Sequence, residues 1–332
     1  MQYGEVLSLG KETVLKVLIT GGAGFIGSNL ALRIQKLRPT WTATILDNFS
    51  TGKRENLSGF RGEVVEGDIL NLNSTNDTVF NETEVVVHLA ALGSVPRSLN
   101  DPMKTFSNNT LGTQIVLEKM RLANCKRIVF SSSSSVYGQN PSFPKKETDY
   151  LAPLSPYAAS KSSGESLITS YVNSFEFKAT IFRFFNVYGP RQNPDGPYAA
   201  VIPKFIQSAL TGKAIEINGD GKQTRDFTFI DNVTDSIIES IDNELQPSTP
   251  VNLALGSQVS VLEIVKTLES ILGRTITYRF LPERKGDVKS SKADTEVFET
   301  YFTAQKKIDF EQGLKATIDW FSLAENQVGV GS

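Results

Sequence analysis

Residues 13–37 read TVLKVLITGGAGFIGSNLALRIQKL. A β-branched apolar run gives way to a glycine-rich turn, and the turn to a segment with the periodicity of an amphipathic helix. Gly21, Gly24 and Gly27 recur at intervals of three across the junction. Such glycines permit a tight turn and bring backbone amides close to a pyrophosphate at the start of a helix, where the helix dipole favours an anion. The amides of Phe25, Ile26 and Gly27 open that helix. Glycine-rich turns that bind nothing are common, so the context decides. Asp47 ends the next apolar run, TATILDN, 20 residues after Gly27. That is where a carboxylate receives an adenosine ribose, with Asn48 beside it. A carboxylate there repels a 2′-phosphate, which favours NAD over NADP. Asp68 and Ile69, after a third run, are candidates for the adenine end.

The rest of the chain repeats the strand–helix rhythm. EVVEGD (63–68), EVVVHLAA (84–91), KRIVFSS (126–132) and KATIFRFFNVYG (178–189) read as further strands, with helices near 101–124 and 156–173 between the later ones. Their nearly continuous apolar character fits parallel strands covered on both faces. The pattern predicts an α/β fold, a Rossmann-like doubly wound parallel sheet with a smaller C-terminal α/β substrate domain. The first domain is expected over 15–189, with a return segment at about 225–255. The substrate domain then takes 190–224 and 256–325. PRQNPDGPYAAV (190–201) reads as a long loop.

Composition narrows the function. Net charge is −2 with no dense basic block, which argues against nucleic acid and acidic membrane surfaces. The single cysteine, Cys125, excludes an internal disulfide and suits a reducing compartment. The N-terminus lacks signal-peptide character, and no apolar run reaches the ~20 residues that span a bilayer. A cytoplasmic enzyme is the expectation, and no metal site is indicated.

The second chemical motif is SPYAASK. Tyr157 and Lys161 are four apart, on one face of a helix that Pro156 opens. A free phenol with a pKa near 10 is a poor base at neutral pH. An ammonium about 5 Å away, at an effective dielectric near 20, favours the phenolate by roughly 3 kcal/mol, or about two pKa units. Upstream, FSSSSSVYG (130–138) ends a strand in five serines.

Together these features resemble the extended short-chain dehydrogenase/reductase family. Within it the chain is most similar to NAD-dependent nucleotide-sugar 4-epimerases, over about 15–325. LDNFSTGKRENL, HLAALGSVPRSLNDP, FNVYGPRQNPDGPYAAVIPKF and INGDGKQTRDFTFIDNV are especially like bacterial UDP-N-acetylglucosamine 4-epimerases of surface-polysaccharide pathways. The resemblance makes Ser133, Tyr157 and Lys161 the catalytic trio. It places Asn186, Arg225 and Arg284 on the UDP diphosphate, and arginine's fork suits that role. Asn109 matches a residue that holds the active-site backbone. His88, the only histidine, reads as packing or cofactor-adjacent. Ser291 stands at a gatekeeping position, where a tyrosine excludes N-acetyl sugars and a small residue admits them. A tightly bound NAD, a UDP-sugar substrate and a homodimer are implied.

The implied reaction is oxidation at the sugar C4 to a ketone and re-reduction on the other face. Related 4,6-dehydratases need an Asp-Glu pair just after the catalytic serine or threonine, and UDP-glucuronate decarboxylases a glutamate at the second of those positions. Ser134 and Ser135 occupy both. A UDP-uronate 4-epimerase meets no such conflict. A non-catalytic NAD-sensing protein on the same fold is the alternative from another class, disfavoured by the intact trio.

Overall fold

The computed structural model describes residues 14–72, 77–196, 198–283, 289–302 and 307–329. The chain opens with β1 (Lys16–Thr20), α1 (Phe25–Leu37), β2 (Thr42–Asp47), β3 (Glu63–Glu66) and β4 (Val85–His88). Short helices α2 (Val95–Asn100) and α3 (Pro102–Phe106) lead through a π-turn at Ser107–Leu111 into α4 (Gly112–Leu122). Then come β5 (Arg127–Ser133), α5 (Pro156–Phe175), β6 (Lys178–Phe184) and β7 (Val187–Tyr188). The remainder contains α6 (Val201–Leu210), β8 (Ile215–Asn218), β9 (Thr224–Arg225), β10 (Thr228–Phe229), α7 (Ile230–Asp242) and β11 (Val251–Leu253). It ends with β12 (Val259–Ser260), α8 (Val261–Leu272), β13 (Tyr278–Leu281), α9 (Glu296–Tyr301) and α10 (Phe310–Gly329).

Seven strands form one sheet in the order β11-β6-β5-β4-β1-β2-β3, parallel at every pairing. The apolar runs divide by alternation. Val17, Ile19, Val85, Val87 and Val129 join one core with α1 and α7, while Leu18, Val86, Ile128 and Phe130 join a second with α4 and α5. A fully buried Val or Ile contributes about 1.5–3 kcal/mol, so both faces hold their helices firmly. The expectation of cover on both faces fails at β3. Glu63, Val64 and Glu66 are exposed because this strand is the sheet's edge, with a neighbour on one side only.

The sheet positions the site. β1 pairs with β2 on one side and β4 on the other, so the connections diverge there and open a crevice at the strands' carboxyl ends. At its rim Gly21 has φ +71°, and a Cβ there would lie 2.7 Å from the Ala90 nitrogen. A side chain is excluded twice over. The strand expected over 178–189 is two strands, broken at Phe185 and at Asn186, which has φ +29°. Outside the main sheet, β8 pairs with β13 and β9 with β12.

Candidate active site

The crevice is a cleft of about 420 Å³. Gly21, Gly24, Phe25, Ile26, Gly27, Asp47, Asn48 and Ile69 line one end, and Ser133, Tyr157, Lys161 and Asn186 the other. The sequence-derived cofactor and catalytic residues therefore meet in one place, apart from Asp68. Its carboxylate is not part of the cleft lining and accepts from the Asn48 side-chain amide at 2.9 Å and from the Leu70 amide at 2.9 Å. Gly67 lines the wall at that point.

At the nucleotide end, Gly24 caps α1 with no side-chain hydrogen bond, so the first helical amides keep their donors for a ligand. Gly27 is required by packing: a Cβ would sit 2.4 Å from the Gly21 carbonyl oxygen. Asp47 accepts from the Ala23 amide and the Phe49 amide, each at 2.8 Å, one on each carboxylate oxygen. Each oxygen keeps a lone pair for a hydroxyl donor. Burial pushes the Asp47 carboxyl up, and those two backbone bonds oppose the rise.

At the catalytic end, Ser155 caps α5 by accepting from the Ala158 amide, and Pro156 occupies the first turn. This cap sets the register that presents Tyr157 and Lys161 to the end of β5. The Lys161 ammonium donates to the Ser131 carbonyl at 2.7 Å and lies 5.1 Å from the centre of the Phe130 ring. Burial lowers its pKa to about 8, against an upward pull from Glu165. The Ser133 hydroxyl accepts from the Ser135 amide at 3.2 Å and donates to the Ser135 hydroxyl at 3.1 Å.

Tyr157 corrects one expectation. Its phenol is held above its ordinary value, because burial outweighs the hydrogen bond from Ser133 that favours the phenolate. The Lys161 ammonium, hydrogen-bonded to the Ser131 carbonyl, is not among the groups that shift it.

Asn109, in the π-turn, grips the backbone of Leu92 from both sides. Its Oδ1 accepts from the Leu92 amide at 2.7 Å, and its Nδ2 donates to the Leu92 carbonyl at 3.2 Å and the Ser160 hydroxyl at 2.9 Å. His88 is buried between two threonines, Nδ1 to Thr20 at 2.7 Å and Nε2 to Thr113 at 3.0 Å. Burial drives its pKa down to about 3, helped by the Lys161 charge.

The expected substrate residues are less gathered. Asn186 lines the cleft and donates to the Asp226 carbonyl at 3.1 Å. Arg225 and Ser291 lie outside the cleft lining, close to one another: the Ser291 amide donates to the Thr224 carbonyl at 3.2 Å. Arg284 lies outside the described residues. Sequence reasoning missed Gln192, which lines the cleft; its Nε2 donates to the Val187 carbonyl, while its buried Oε1 has no partner among the described residues.

A family model described as the NAD dependent epimerase/dehydratase family matches residues 17–254. The chain belongs to this family. It is 34% identical over 312 residues to a UDP-glucose 4-epimerase of Mycolicibacterium smegmatis, covering 92% of this chain and 98% of the relative. Among solved structures it is similar to UDP-N-acetylglucosamine 4-epimerase from Methanobrevibacter ruminantium M1 in complex with UDP-N-acetylmuramic acid. That match has a TM-score of 0.87 and 35% identity, covering 94% of this chain and 99% of the other. It is also similar to the UDP-glucuronic acid 4-epimerase from Bacillus cereus in complex with UDP-glucuronic acid and NAD, with a TM-score of 0.85 and 32% identity, covering 93% and 100%.

This epimerase/dehydratase-family enzyme is NAD-dependent, and its cleft fits that cofactor on its own chemistry. The uncapped α1 amides suit a pyrophosphate, Asp47 retains acceptors for a ribose, and Gln192 Oε1, without a donor among the described residues, can take one from a ligand. When bound, NAD supplies a hydride acceptor and donor. No helix among the described residues is long and apolar enough to cross a membrane.

Proposed function

We propose that this enzyme interconverts UDP-GlcNAc and UDP-GalNAc by oxidation and re-reduction at C4, and also accepts UDP-Glc and UDP-Gal. One observation carries the reading. Asp47, at the nucleotide end, is the only carboxylate among the described residues lining the cleft, so the catalytic end offers hydroxyls, a phenol and an ammonium but no carboxylic acid. Elimination of water needs such an acid, whereas epimerisation needs only one proton moved off and back onto the 4-hydroxyl. In this account Tyr157 holds and returns that proton, and Ser133 orients the hydroxyl. Lys161 keeps positive charge beside the phenol, and Asn109 fixes the cleft floor through Leu92. Asn186, Arg225 and Arg284 take the diphosphate, and the small Ser291 leaves room for an N-acetyl group. The pairing of β8 with β13 and β9 with β12 outside the main sheet supports assigning 190–224 and 256–325 to the substrate side. Exposed Leu99, Met103, Phe106 and Leu111 on the α2–α4 segment, with Val172 and Phe175 on α5, support a homodimer through these helices.

A UDP-uronate 4-epimerase is the second reading, favoured by the likeness to the Bacillus cereus enzyme. Separate incubations of the protein with UDP-GlcNAc, UDP-Glc and UDP-GlcA distinguish the two. The highest kcat/KM is expected with UDP-GlcNAc, and turnover of UDP-GlcA alone would overturn the assignment.

A further inference from the structure

Tyr157, Lys161 and Glu165 recur every four residues along α5, and Glu165 is not needed by any step above. Its side chain is 6% exposed and faces Arg183 on β6, which is 4% exposed. The pairing is bidentate, Nε to Oε1 at 3.0 Å and Nη2 to Oε2 at 2.8 Å. Ser132, between the serine that anchors Lys161 and the serine at the reacting end, donates its hydroxyl to Glu165. Arg183 continues the chain to the Tyr137 hydroxyl at 2.9 Å and the Glu147 carbonyl at 3.1 Å. Tyr137 donates to Asn252 Oδ1 at 2.6 Å. The carboxylate thus touches the serine strand directly and sits one helical turn from the buried ammonium.

A buried pair of this kind is weak evidence for stability, because desolvating both charges offsets much of their attraction. Packing alone gives no reason to place it one turn below Lys161. We propose that Glu165 is a positioning residue of the reaction: it is the counter-charge of the buried Lys161 ammonium, and through Ser132 it locks α5 to the strand that carries Ser131 and Ser133. The inference rests on the epimerase reading for the word "reaction", while its electrostatic core stands on the one-turn spacing of Lys161 and Glu165 along α5, with the upward pull of Glu165 on the ammonium beside it.

The groups facing Lys161 allow few competitors. On its own helix are Tyr157 and Glu165, and on β5 the Phe130 ring and the Ser131 carbonyl and hydroxyl. On β4, His88 is neutral and works against the ammonium only when protonated. Arg183 on β6 stands behind Glu165; burial lowers its pKa, but the hydrogen bonds and charge attraction of Glu165 and Tyr137 together outweigh that and hold it well above its ordinary value. Glu147 accepts from the Asn252 amide at 2.9 Å, on the far side of Arg183. Glu165 is therefore the carboxylate placed to hold the ammonium.

The test titrates Lys161 directly, by NMR of protein labelled with ¹³Cε-lysine and assigned against Lys161→Met. Glu165→Gln should lower the midpoint by roughly one pH unit, as loss of a near counter-charge does. The alkaline limb of kcat should move down by the same amount, about a tenfold loss of rate above it, with KM and retained NAD unchanged. Glu165→Gln leaves Arg183 buried and unpaired, so the double variant Glu165→Gln/Arg183→Met provides a folded comparison. A lower Lys161 midpoint in the double variant than in Arg183→Met alone, and no downward shift in Glu165→Asp, supports the proposal. Equal midpoints in the double variant and Arg183→Met overturn it and leave the pair a structural brace. If wild-type protein makes no 4-epimer, the functional reading falls, and the Lys161 titration still decides the inference.

Discussion

Lowering the pH from 8 to 5 should destabilise this fold through one side chain. His88 is the chain's only histidine, is 1% exposed, and has a folded pKa of about 3 against an ordinary 6.5. Between those values the folded imidazole stays neutral while the unfolded one takes up a proton, so the stability it contributes falls as pH falls below 6.5. At pH 5, 1.5 units under the unfolded value, the loss is about 2 kcal/mol. Asp226 acts in the opposite sense. Burial pushes its pKa up to about 6, so it is protonated in the fold below that pH while the unfolded carboxylate stays charged until about pH 4. It returns about 1.4 kcal/mol by pH 5, leaving a net loss near 0.6 kcal/mol from the two groups. His88→Gln should remove the first contribution and keep the second. The variant is expected to be less stable than wild type at pH 8, where two threonines lose their partner, but its stability should then rise on acidification. Urea unfolding followed by tryptophan fluorescence at both pH values, with NAD saturating, measures the difference, expected at about 2 kcal/mol. The carboxylates titrate in both proteins and cancel. Equal pH dependence of the two proteins, or an imidazole C2 proton titrating near 6.5 in the wild-type NMR spectrum, would refute the reasoning.

Other perturbations test the cleft itself. Tyr157→Phe should lower kcat by about 10²–10⁴-fold while leaving the melting temperature and bound NAD intact, as steady-state rates and thermal melts will show. Gly27→Ala puts a Cβ 2.4 Å from the Gly21 carbonyl oxygen and 2.6 Å from the Gly22 Cα, both backbone. It should destabilise by about 1–3 kcal/mol and release NAD on gel filtration. Gly24→Ala meets only the Gly21 oxygen at 3.2 Å and should fold normally. Ser291→Tyr should reduce kcat/KM for UDP-GlcNAc at least tenfold while UDP-Glc turnover persists, a ratio read from paired substrate assays.

The parts legible in sequence were those with a repeating physical signature. The helix read at FIGSNLALRIQKL is α1, residue for residue, because glycine bounds it on one side and Arg38-Pro39 on the other. Gly27 with Asp47, and Tyr157 with Lys161, were readable because backbone approach and helical spacing each fix residue type at a set interval. What escaped were side-chain pairings between elements. Glu165 and Arg183 meet between adjacent elements, yet a signal existed: an arginine inside the apolar run of β6 must find a buried anion.

The most direct measurement incubates the purified protein with UDP-GlcNAc in D₂O without added nucleotide and resolves the products by NMR. The account predicts UDP-GalNAc, formed by cofactor that copurified with the chain, with hydrogen rather than deuterium at C4 because the hydride never exchanges with solvent. Deuterium at C4, or no 4-epimer from protein shown to carry NAD, would contradict it.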